Sequence, residues 1–341
     1  MRMRQLLVIW ILLSSVVPVW AQQQDTLLAR LIFIGDAGQV DRDQTLVIKD
    51  AALKIIKGKT KVIYLGDNVY PDGMGLPGSK EEQQTQDILR SQYLPMRNNG
   101  APVYFIPGNH DWDHSGKLGL AKIKQQDSFL QEQKDSQLKL LPPNGCPDPI
   151  EMKITDEVMM IIIDSEWWLF PYAKENPAGG CSCNSEQSVL EKLAAIVNKN
   201  KDKTILLASH HPFQSYGKHG LRWFFPSPED LRNKKYKSMV NRINKAMSGS
   251  TRVIHVSGHD HGLQYIKGNH IQVVSGSGAK RSSVIKGENS LFADSRHGFV
   301  LVDIYPGQRL KFRYFVLTAW GVEELFTTEI NYHASDHRSA K

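Results

Sequence analysis

Five short segments, spread in order along the chain, place metal-ligating side chains directly after apolar runs. Each begins with Gly or Ser and continues with Asp, Asn, His or Tyr. The segments are GDAG (35–38), GDNVY (66–70), GNHD (108–111), SHHP (209–212) and GHDH (258–261). Ligands bind at the carboxyl ends of strands in open α/β sheets, so these five strand ends predict one shared site. Together the segments contain enough oxygen and nitrogen ligands for two metal ions.

The stretches between these segments predict an α/β fold. Apolar strand-like runs alternate with helical segments in the first part of the chain, as in βαβ units. From residue 252 onward short strands dominate, as in an antiparallel meander, and the last strand is predicted over 310–317. The stretch 141–149 contains four prolines and is predicted as a loop. This order fits two packed mixed sheets flanked by helices.

Length and composition permit a single large domain. The chain has 341 residues, of which 41% are hydrophobic, and it contains neither an internal repeat nor a Gly/Ser linker. We therefore expect one domain over residues 22–330 and a polar tail at 331–341. Lys and Arg outnumber acidic residues by 42 to 35 but are scattered, which argues against a nucleic-acid groove. The mild positive balance favours anionic substrates.

Residues 1–21 have the composition of a secretory signal peptide. Arg2 and Arg4 form a basic start, an apolar stretch follows over 6–17, and the sequence VWA at 19–21 fits a small-x-small cleavage pattern. An uncleaved anchor is the alternative, but the apolar stretch is short for a membrane span of ~20 residues. We therefore predict export, either periplasmic or secreted, with no stable membrane span after cleavage.

The three cysteines leave their pairing open. Cys181 and Cys183 are too close in sequence to bond easily with each other. Cys146 could pair with either of them and leave the other free, and a fully reduced set is a further alternative.

The five segments, in this order, resemble the calcineurin-like metallophosphoesterases. Within that family they are most similar to the small, mammalian-type purple acid phosphatases, the tartrate-resistant acid phosphatases. The similarity extends over about 30–316, and GDNVY, SHHPFQSYGKHG (209–220), IIIDS (161–165) and GHDHGLQY (258–265) favour that branch. The resemblance implies a calcineurin-like sandwich of two mixed β-sheets flanked by helices.

The resemblance also implies a binuclear metal centre with seven protein ligands. These are Asp67 as the bridge, Asp36, Tyr70 and His261 on one ion, and Asn109, His210 and His259 on the other. Mixed oxygen and nitrogen ligands suit Fe, Zn or Mn better than Ca. In the family, a tyrosinate stabilises ferric iron and gives the purple colour. We therefore expect Fe(III) in one site and Fe(II), Zn or Mn in the other.

Two of these ligand assignments have competing interpretations. The family pattern His-x-Pro selects His210, and His211 should then point to the opposite side. A core role is the usual interpretation of a tyrosine, but a tyrosine three residues after a bridging Asp67 is unusual, so we interpret Tyr70 as a ligand. Asp260 is expected to face away from the metals.

Two histidines outside the ligand set are the predicted acid catalysts. In the family, the His of the GNH segment and a later His lie over the phosphate and assist the leaving group. These correspond here to His110 and His219, although His219 could also be a surface loop residue. Mammalian-type relatives have Glu where this chain has Lys218. Asp111 could hold His110 in a useful tautomer. Asp164 is expected to be structural or to support the ligands from outside the ligand set, rather than to be a ligand.

These features predict an exported binuclear metal-dependent phosphatase that hydrolyses phosphomonoesters. The resemblance implies in-line attack on phosphorus by a metal-bound hydroxide. Phosphodiesterase or nucleotide pyrophosphatase action at the same metals is the alternative enzyme activity. A non-catalytic metal-binding or interaction module is an alternative of a different class, and the complete ligand set argues against it. We expect a small phosphate ester as substrate and no nucleic-acid partner, and the oligomeric state is left undetermined by the sequence.

Overall fold

The computed structural model describes residues 26–174, 180–221 and 224–332. The predicted signal peptide at 1–21 lies outside the described residues, and so does the predicted tail apart from positions 331 and 332. The described residues form two seven-stranded β-sheets that pack face to face, with helices on their outer surfaces. This is the α/β sandwich of two mixed sheets that the sequence predicts.

The first sheet is parallel on one side and antiparallel on the other. Its strands are, in spatial order, β14 (Gly321–Asn331), β13 (Arg309–Thr318), β12 (Gly298–Tyr305), β1 (Ala29–Ile34), β2 (Thr60–Tyr64), β3 (Val103–Phe105) and β4 (Leu138–Leu140). Strands β1 to β4 run parallel, as expected for strands joined by helical crossovers. Strands β12, β13 and β14 pair antiparallel.

The second sheet has a parallel centre with antiparallel strands at both edges. Its strands are, in spatial order, β11 (Ser290–Asp294), β9 (Leu263–Lys267), β10 (Ile271–Ser275), β8 (Val253–Ser257), β7 (Thr204–Ala208), β6 (Val158–Ile162) and β5 (Ile150–Lys153). Strands β6, β7, β8 and β10 run parallel, whereas β5, β9 and β11 pair antiparallel with their neighbours.

Helices cover the outer faces of both sheets. The described residues form α1 (Arg42–Leu53), α2 (Glu82–Asn98), α3 (Gly119–Glu132), α4 (Glu166–Leu169), α5 (Glu186–Lys199), α6 (Lys218–Leu221), α7 (Lys234–Met247) and a 3-10 turn (Pro143–Gly145). Helix α1 begins where the Asp41 carboxylate accepts the Gln44 backbone N–H at 2.8 Å. Within the described part of the chain, no helix combines the length and apolar character needed to cross a membrane.

Strand β1 shows why the central strands have almost no polar residues. Ile32 and Ile34 pack beneath the helices, whereas Leu31 and Phe33 face the second sheet. Because both faces of the strand are covered, the alternation of apolar and polar residues disappears. After Arg30, near the start of the strand, the next charged or polar side chain is that of Asp36, just beyond the strand end.

Three strands were not predicted from the sequence. Strand β4 lies just before the predicted loop at 141–149, and β11 and β14 lie in segments without a strong apolar pattern. Strand β14 is the edge of the first sheet and pairs with β13 over almost its whole length. Many of its side chains are exposed, so its sequence, GVEELFTTEIN, is largely polar. Asn331, where the predicted tail begins, is the last residue of this strand.

Cys146 and Cys181 form a disulfide, with their Cα atoms 5.4 Å apart. Cys183 is buried and has a free thiol. Asp148 supports this region, because it accepts the backbone N–H of Ser182 at 3.1 Å and that of Cys183 at 3.2 Å. The structure thus selects one of the arrangements that the sequence leaves open.

Candidate metal centre

The carboxyl ends of five strands bring the predicted ligands to one rim of the sandwich. Strands β1, β2 and β3 of the first sheet and β7 and β8 of the second each end a few residues before one of the five segments. Because the sheets face each other, ligands from the first sheet meet ligands from the second across the interface. Convergence at strand ends is the arrangement expected for binding sites of α/β sheets.

Tight turns aim two of the carboxylates into the site. The backbone φ is +57° at Asp36 and +54° at Asp67, a region that residues with a side chain seldom adopt. At two positions that precede predicted ligands, only glycine leaves room for a neighbouring side chain. A Cβ atom at Gly66 would collide with the ring of His210, and one at Gly108 would collide with the Asp67 carboxylate. The Gly-Asp and Gly-Asn pairs therefore reflect the close packing of the ligand side chains.

The first group of ligand atoms comes from Asp36, Asp67, Tyr70 and His261. The Tyr70 hydroxyl oxygen lies 3.1 Å from Asp36 Oδ1 and 2.9 Å from Asp67 Oδ2. It also lies 3.3 Å from His261 Nε2, which is 3.4 Å from Asp36 Oδ1. One ligand atom each of Asp36, Asp67 and His261 falls within 4.8 Å of the others, a spacing suited to a metal ion.

The second group comes from Asn109, His210 and His259. Asn109 Oδ1 lies 3.0 Å from His210 Nε2 and 3.2 Å from His259 Nδ1, and these two ring nitrogens are 3.2 Å apart. His210 Nε2 also lies 3.4 Å from Asp67 Oδ1. Because the other oxygen of Asp67 contacts Tyr70, this one carboxylate reaches both groups, which is the geometry that a bridging ligand needs.

Hydrogen bonds outside the second group fix which atoms face its centre. His210 Nδ1 lies 2.8 Å from the Leu65 carbonyl oxygen, so Nδ1 carries the hydrogen of this imidazole. His259 Nε2 likewise lies 2.8 Å from the Glu229 carbonyl oxygen. Asn109 Nδ2 donates to Glu229 Oε1 at 3.4 Å, which turns Oδ1 inward. Three lone pairs therefore converge with no hydrogen between them, and a cation fits this set of donors.

Burial and neighbouring charges shift the pKa values of three predicted ligands. Burial, together with the histidine rings packed around it, lowers the pKa of His259 well below its usual value and keeps the ring neutral. Burial alone would raise the pKa of Asp67, but His210, His110 and the His110 backbone N–H hold it below its usual range. Burial and two neighbouring carboxylates raise the pKa of the Tyr70 phenol well above its usual value. A phenolate at this position would therefore require a strongly charged cation in place of the proton.

His211 does not point to the opposite side, contrary to the prediction from the sequence. Its ring centroid lies 5.0 Å from that of His210 and 4.4 Å from that of His259, and the three histidines together could hold a metal ion. However, His211 Nδ1 lies 2.9 Å from Ser165 Oγ, whereas His210 Nε2 faces Asp67. His210 thus stays the predicted ligand, and His211 packs behind the second group.

His110 lies beside the first group, and a backbone carbonyl orients its ring. His110 Nε2 is 3.8 Å from Asp67 Oδ2, and its ring centroid is 4.4 Å from that of Tyr70. His110 Nδ1 contacts the carbonyl oxygen of Pro71, so Nδ1 carries a hydrogen. The prediction that Asp111 holds this tautomer is wrong. The buried Asp111 carboxylate instead accepts backbone N–H groups of the two neighbouring ligand loops.

His219 is fixed beside the second group rather than free on a surface loop. Its Nδ1 lies 2.9 Å from Asp230 Oδ1, and its ring centroid lies 4.4 Å from that of His259. Its backbone N–H donates to Asp260 Oδ1 at 2.9 Å, so Asp260 faces away from the ligands, as expected. The neighbouring Lys218, at the position where mammalian-type relatives have Glu, is exposed.

Asp164 does not belong to the ligand groups. It accepts a hydrogen bond from Trp112 Nε1 at 2.9 Å and one from the Trp167 backbone N–H at 3.0 Å. Burial raises the pKa of Asp164 to about 6. Asp164 thus contacts Trp112 and Trp167 and lies outside the ligand set, as the sequence predicts.

A segment without any recognised motif, SPEDL at 227–231, contacts ligands of the second group. Glu229 accepts the ring hydrogen of His259 with its backbone carbonyl and contacts Asn109 with its carboxylate. Glu229 Oε1 also lies 3.4 Å from Nε2 of His114, a residue outside the predicted site. The Glu229 backbone and side chain thereby orient two of the three ligands in this group.

The next residue of that segment holds the predicted acid catalyst. One oxygen of Asp230 contacts His219, and the other accepts the Ser227 backbone N–H at 2.6 Å and the Ser227 hydroxyl at 2.8 Å. The only sequence signal for this role is an acidic pair in a proline-containing loop. That signal is weak because acidic pairs are common on protein surfaces.

The family comparison agrees with the chemistry of this rim. Residues 29–263, which include all five ligand segments, match the calcineurin-like phosphoesterase family. The chain therefore belongs to this family, whose members use a dimetal centre, and it is a metallophosphoesterase, a hydrolase of phosphate esters. A comparison with curated proteins finds no match.

Solved structures with the same fold include an anchor protein and a phosphatase. GAP50, the anchor in the inner membrane complex of Plasmodium, matches with a TM-score of 0.59 and 18% identity over 92% of this chain and 95% of that one. Purple acid phosphatase PPD1 from yellow lupin (Lupinus luteus) seeds matches with a TM-score of 0.57 and 16% identity, over 91% and 55%. PhoD matches with a TM-score of 0.57 and 14% identity, over 91% and 69%. At these identities the similarity concerns the fold alone, and this chain spans about half the length of the lupin enzyme.

Proposed function

We propose that this metallophosphoesterase is an exported phosphatase of the purple acid phosphatase type, which hydrolyses phosphomonoesters at two metal ions. The observation that supports it most is the meeting of two ligand groups on one carboxylate, Asp67. Tyr70 in the first group favours the purple acid phosphatase type, because a tyrosine ligand is what sets that branch apart in sequence.

The seven predicted ligands would hold the two cations. They are Asp36, Tyr70 and His261 for the first ion, Asn109, His210 and His259 for the second, and Asp67 for both. When bound, two such cations stabilise the charge on phosphate oxygens and make water a nucleophile near neutral pH. We propose Fe(III) at the first position, because Tyr70 needs a strongly charged cation to ionise, and Fe(II), Zn or Mn at the second.

The histidines outside the ligand set would supply the proton that hydrolysis requires. In hydrolysis the water oxygen bonds to phosphorus, the ester P–O bond breaks, and the leaving oxygen takes up a proton. His219 Nδ1 is engaged by Asp230, so Nε2 is the nitrogen that can hold the transferable proton. His110, oriented by the Pro71 carbonyl, is placed next to the first group to stabilise the transferring phosphate.

The complete set of ligand-type side chains favours a catalytic role over a role in binding alone. All seven ligand positions have ligand-type side chains, and hydrogen bonds from Leu65 and Glu229 preset the tautomers of two histidines. A scaffold that only binds a partner needs neither feature.

Export is the second part of the proposal. It is supported by the basic and apolar composition of residues 1–21. The Cys146–Cys181 disulfide is in keeping with it, because disulfides persist mainly in oxidising compartments.

Metal analysis combined with two assays tests the enzymatic proposal. We expect purified protein to contain about two metal ions per chain and to hydrolyse p-nitrophenyl phosphate faster than bis(p-nitrophenyl) phosphate. Asp67→Asn should lose metal and nearly all activity, because the shared ligand loses its charge. Asp156→Asn, at an exposed carboxylate outside the site, is the matched control and should keep both.

Three results would change the proposal. Full metal content and activity in Asp67→Asn would refute the bridging role. A preference for the diester would replace the phosphatase with the diesterase alternative. Metal binding without hydrolysis of any ester would favour the non-catalytic module.

A further inference from the structure

We infer that Lys280 forms an anion-binding subsite beside the metal centre, so that the preferred substrates are phosphate monoesters whose leaving group carries a second negative charge. The inference rests on the proposed phosphatase function and deepens it by naming a substrate class. It concerns residues outside the ligand set and outside the five segments.

A cleft of about 940 Å³ opens directly from the first ligand group. Tyr70, His110 and His261 line it, so the cleft begins where the phosphate of a substrate would be held. Its volume lies at the upper end of the range for pockets that take small organic ligands. The cleft therefore has room for a leaving group as well as for the phosphate.

Lys280 places a positive charge at the start of this cleft. Its Nζ lies 4.7 Å from the centroid of the Tyr70 ring, and it contacts the side-chain oxygen of Gln39. Among the residues that the structure describes, no carboxylate forms an ion pair with Lys280. A neutral amide partner orients the ammonium group but does not compensate its charge.

The remaining charges of the cleft do not cancel that of Lys280. Lys80 adds a second positive charge to the lining. Asp87 is the acidic lining residue, and its carboxylate already pairs with Arg90 at 2.8 Å. Lys280 consequently adds a positive charge at the end of the cleft that meets Tyr70, which favours an anionic group on the substrate.

The position of Lys280 indicates which part of the substrate meets it. A phosphate held by the first ligand group leaves its ester oxygen free to extend past Tyr70 into the cleft. A carboxylate or a second phosphate on that leaving group would then reach Lys280. Opposite charges a few ångströms apart in a partly buried cleft attract more strongly than in bulk water.

A matched pair of substrates isolates this contact. We compare kcat/KM for 4-carboxyphenyl phosphate with that for phenyl phosphate and follow the ratio of the two values. Lys280→Gln should lower the ratio about tenfold, equivalent to about 1.4 kcal/mol. Lys280→Arg should restore most of the ratio, because it keeps the charge. Lys286→Gln, an exposed lysine six residues further on and outside the cleft, is the control and should leave the ratio unchanged.

Binding of uncleavable analogues gives a readout without turnover. Calorimetry should show that Lys280→Gln weakens 4-carboxyphenylphosphonate about tenfold more than phenylphosphonate. If the wild type cleaves neither ester, the proposed function fails, while this binding difference still tests the subsite. An unchanged ratio and an unchanged binding difference in Lys280→Gln overturn the inference.

Ionic strength provides the test if Lys280→Gln does not fold. In the wild type, the kcat/KM ratio should fall as salt increases, because salt screens the contact between Lys280 and the carboxylate. The same series with a substrate that carries a second phosphate should show a steeper fall. A ratio independent of salt for both substrates overturns the inference.

Discussion

At the scale of single residues, the role proposed for Tyr70 is the most specific one chemically. Its hydroxyl lies between the carboxylates of Asp36 and Asp67, at 3.1 Å and 2.9 Å, and a phenol has only one hydrogen to share between them. Burial and these two carboxylates raise the pKa of Tyr70 well above its usual value. A ferric ion is the kind of cation that can compete with the proton for this oxygen.

We expect Tyr70→Phe to abolish the visible charge-transfer band of protein loaded with ferric iron. The substitution removes only the hydroxyl, so the fold should be intact by far-UV circular dichroism. Tyr172→Phe, at a partly exposed tyrosine outside the site, is the control and should keep the band. A band that survives in Tyr70→Phe would show that Tyr70 is not a ligand.

The meeting of the proposed ligands at one rim could be predicted from the sequence because each segment follows an apolar run that forms a central strand. The orientations of the adjacent residues His210 and His211 were harder to predict. His210 and His211 differ in what surrounds them, since Leu65 fixes the tautomer of one and Ser165 contacts the other. Such partners are distant in sequence, so only the tertiary structure shows them.

At the scale of elements, the segment 227–231 orients the second ligand group and His219 through hydrogen bonds. It lies between β7 and β8, which each end next to a ligand segment, and it is irregular itself. Glu229 and Asp230 act through contacts across the chain rather than through a local pattern. Irregular segments of this kind have no periodicity, which is why the sequence did not mark these residues.

We expect His219→Ala to keep both metals and to lose about 10²-fold or more in turnover on alkyl phosphates. The loss should be much smaller on nitrophenyl phosphate, because a general acid matters in proportion to the basicity of the leaving oxygen. Asp230→Asn should show the same substrate dependence with a smaller loss, since the amide oxygen can still accept from His219 but carries no charge.

Metal content and both substrates should be measured across pH for each variant. Asp202→Asn, near the start of β7 and away from the site, serves as the control. Equal losses on both substrates would mean that His219 positions the phosphate. No loss on either substrate would mean that His219 takes no part in turnover.

At the scale of the whole molecule, the predictable part of the fold is the part covered on both faces. Strands such as β1 and β7 are continuous apolar runs because helices cover one face and the other sheet covers the second. Strand β14 was not predicted because it is an exposed edge strand with many polar residues. Strand β4 was not predicted because it has only three residues and lies next to a proline-rich segment. The pairing of Cys146 with Cys181 likewise depends on how distant segments pack.

The proposed export and the disulfide can be tested together by intact mass. Protein from a secretion-competent host should begin near Gln22, and after unfolding without reductant it should take up one alkyl group, at Cys183. After reduction it should take up three. Closing a loop with a sequence separation of 35 is expected to stabilise the fold by ~4 kcal/mol, so reduction should also lower the melting temperature.

The matched control is Cys183→Ser, which should take up no alkyl group before reduction and two afterwards, because only Cys146 and Cys181 remain. An intact Met1 in the soluble fraction would refute cleavage. Three alkyl groups on unreduced wild-type protein would refute the disulfide. The two parts fail independently, because cleavage depends on residues 1–21 and the disulfide on the folded domain and the redox conditions it meets.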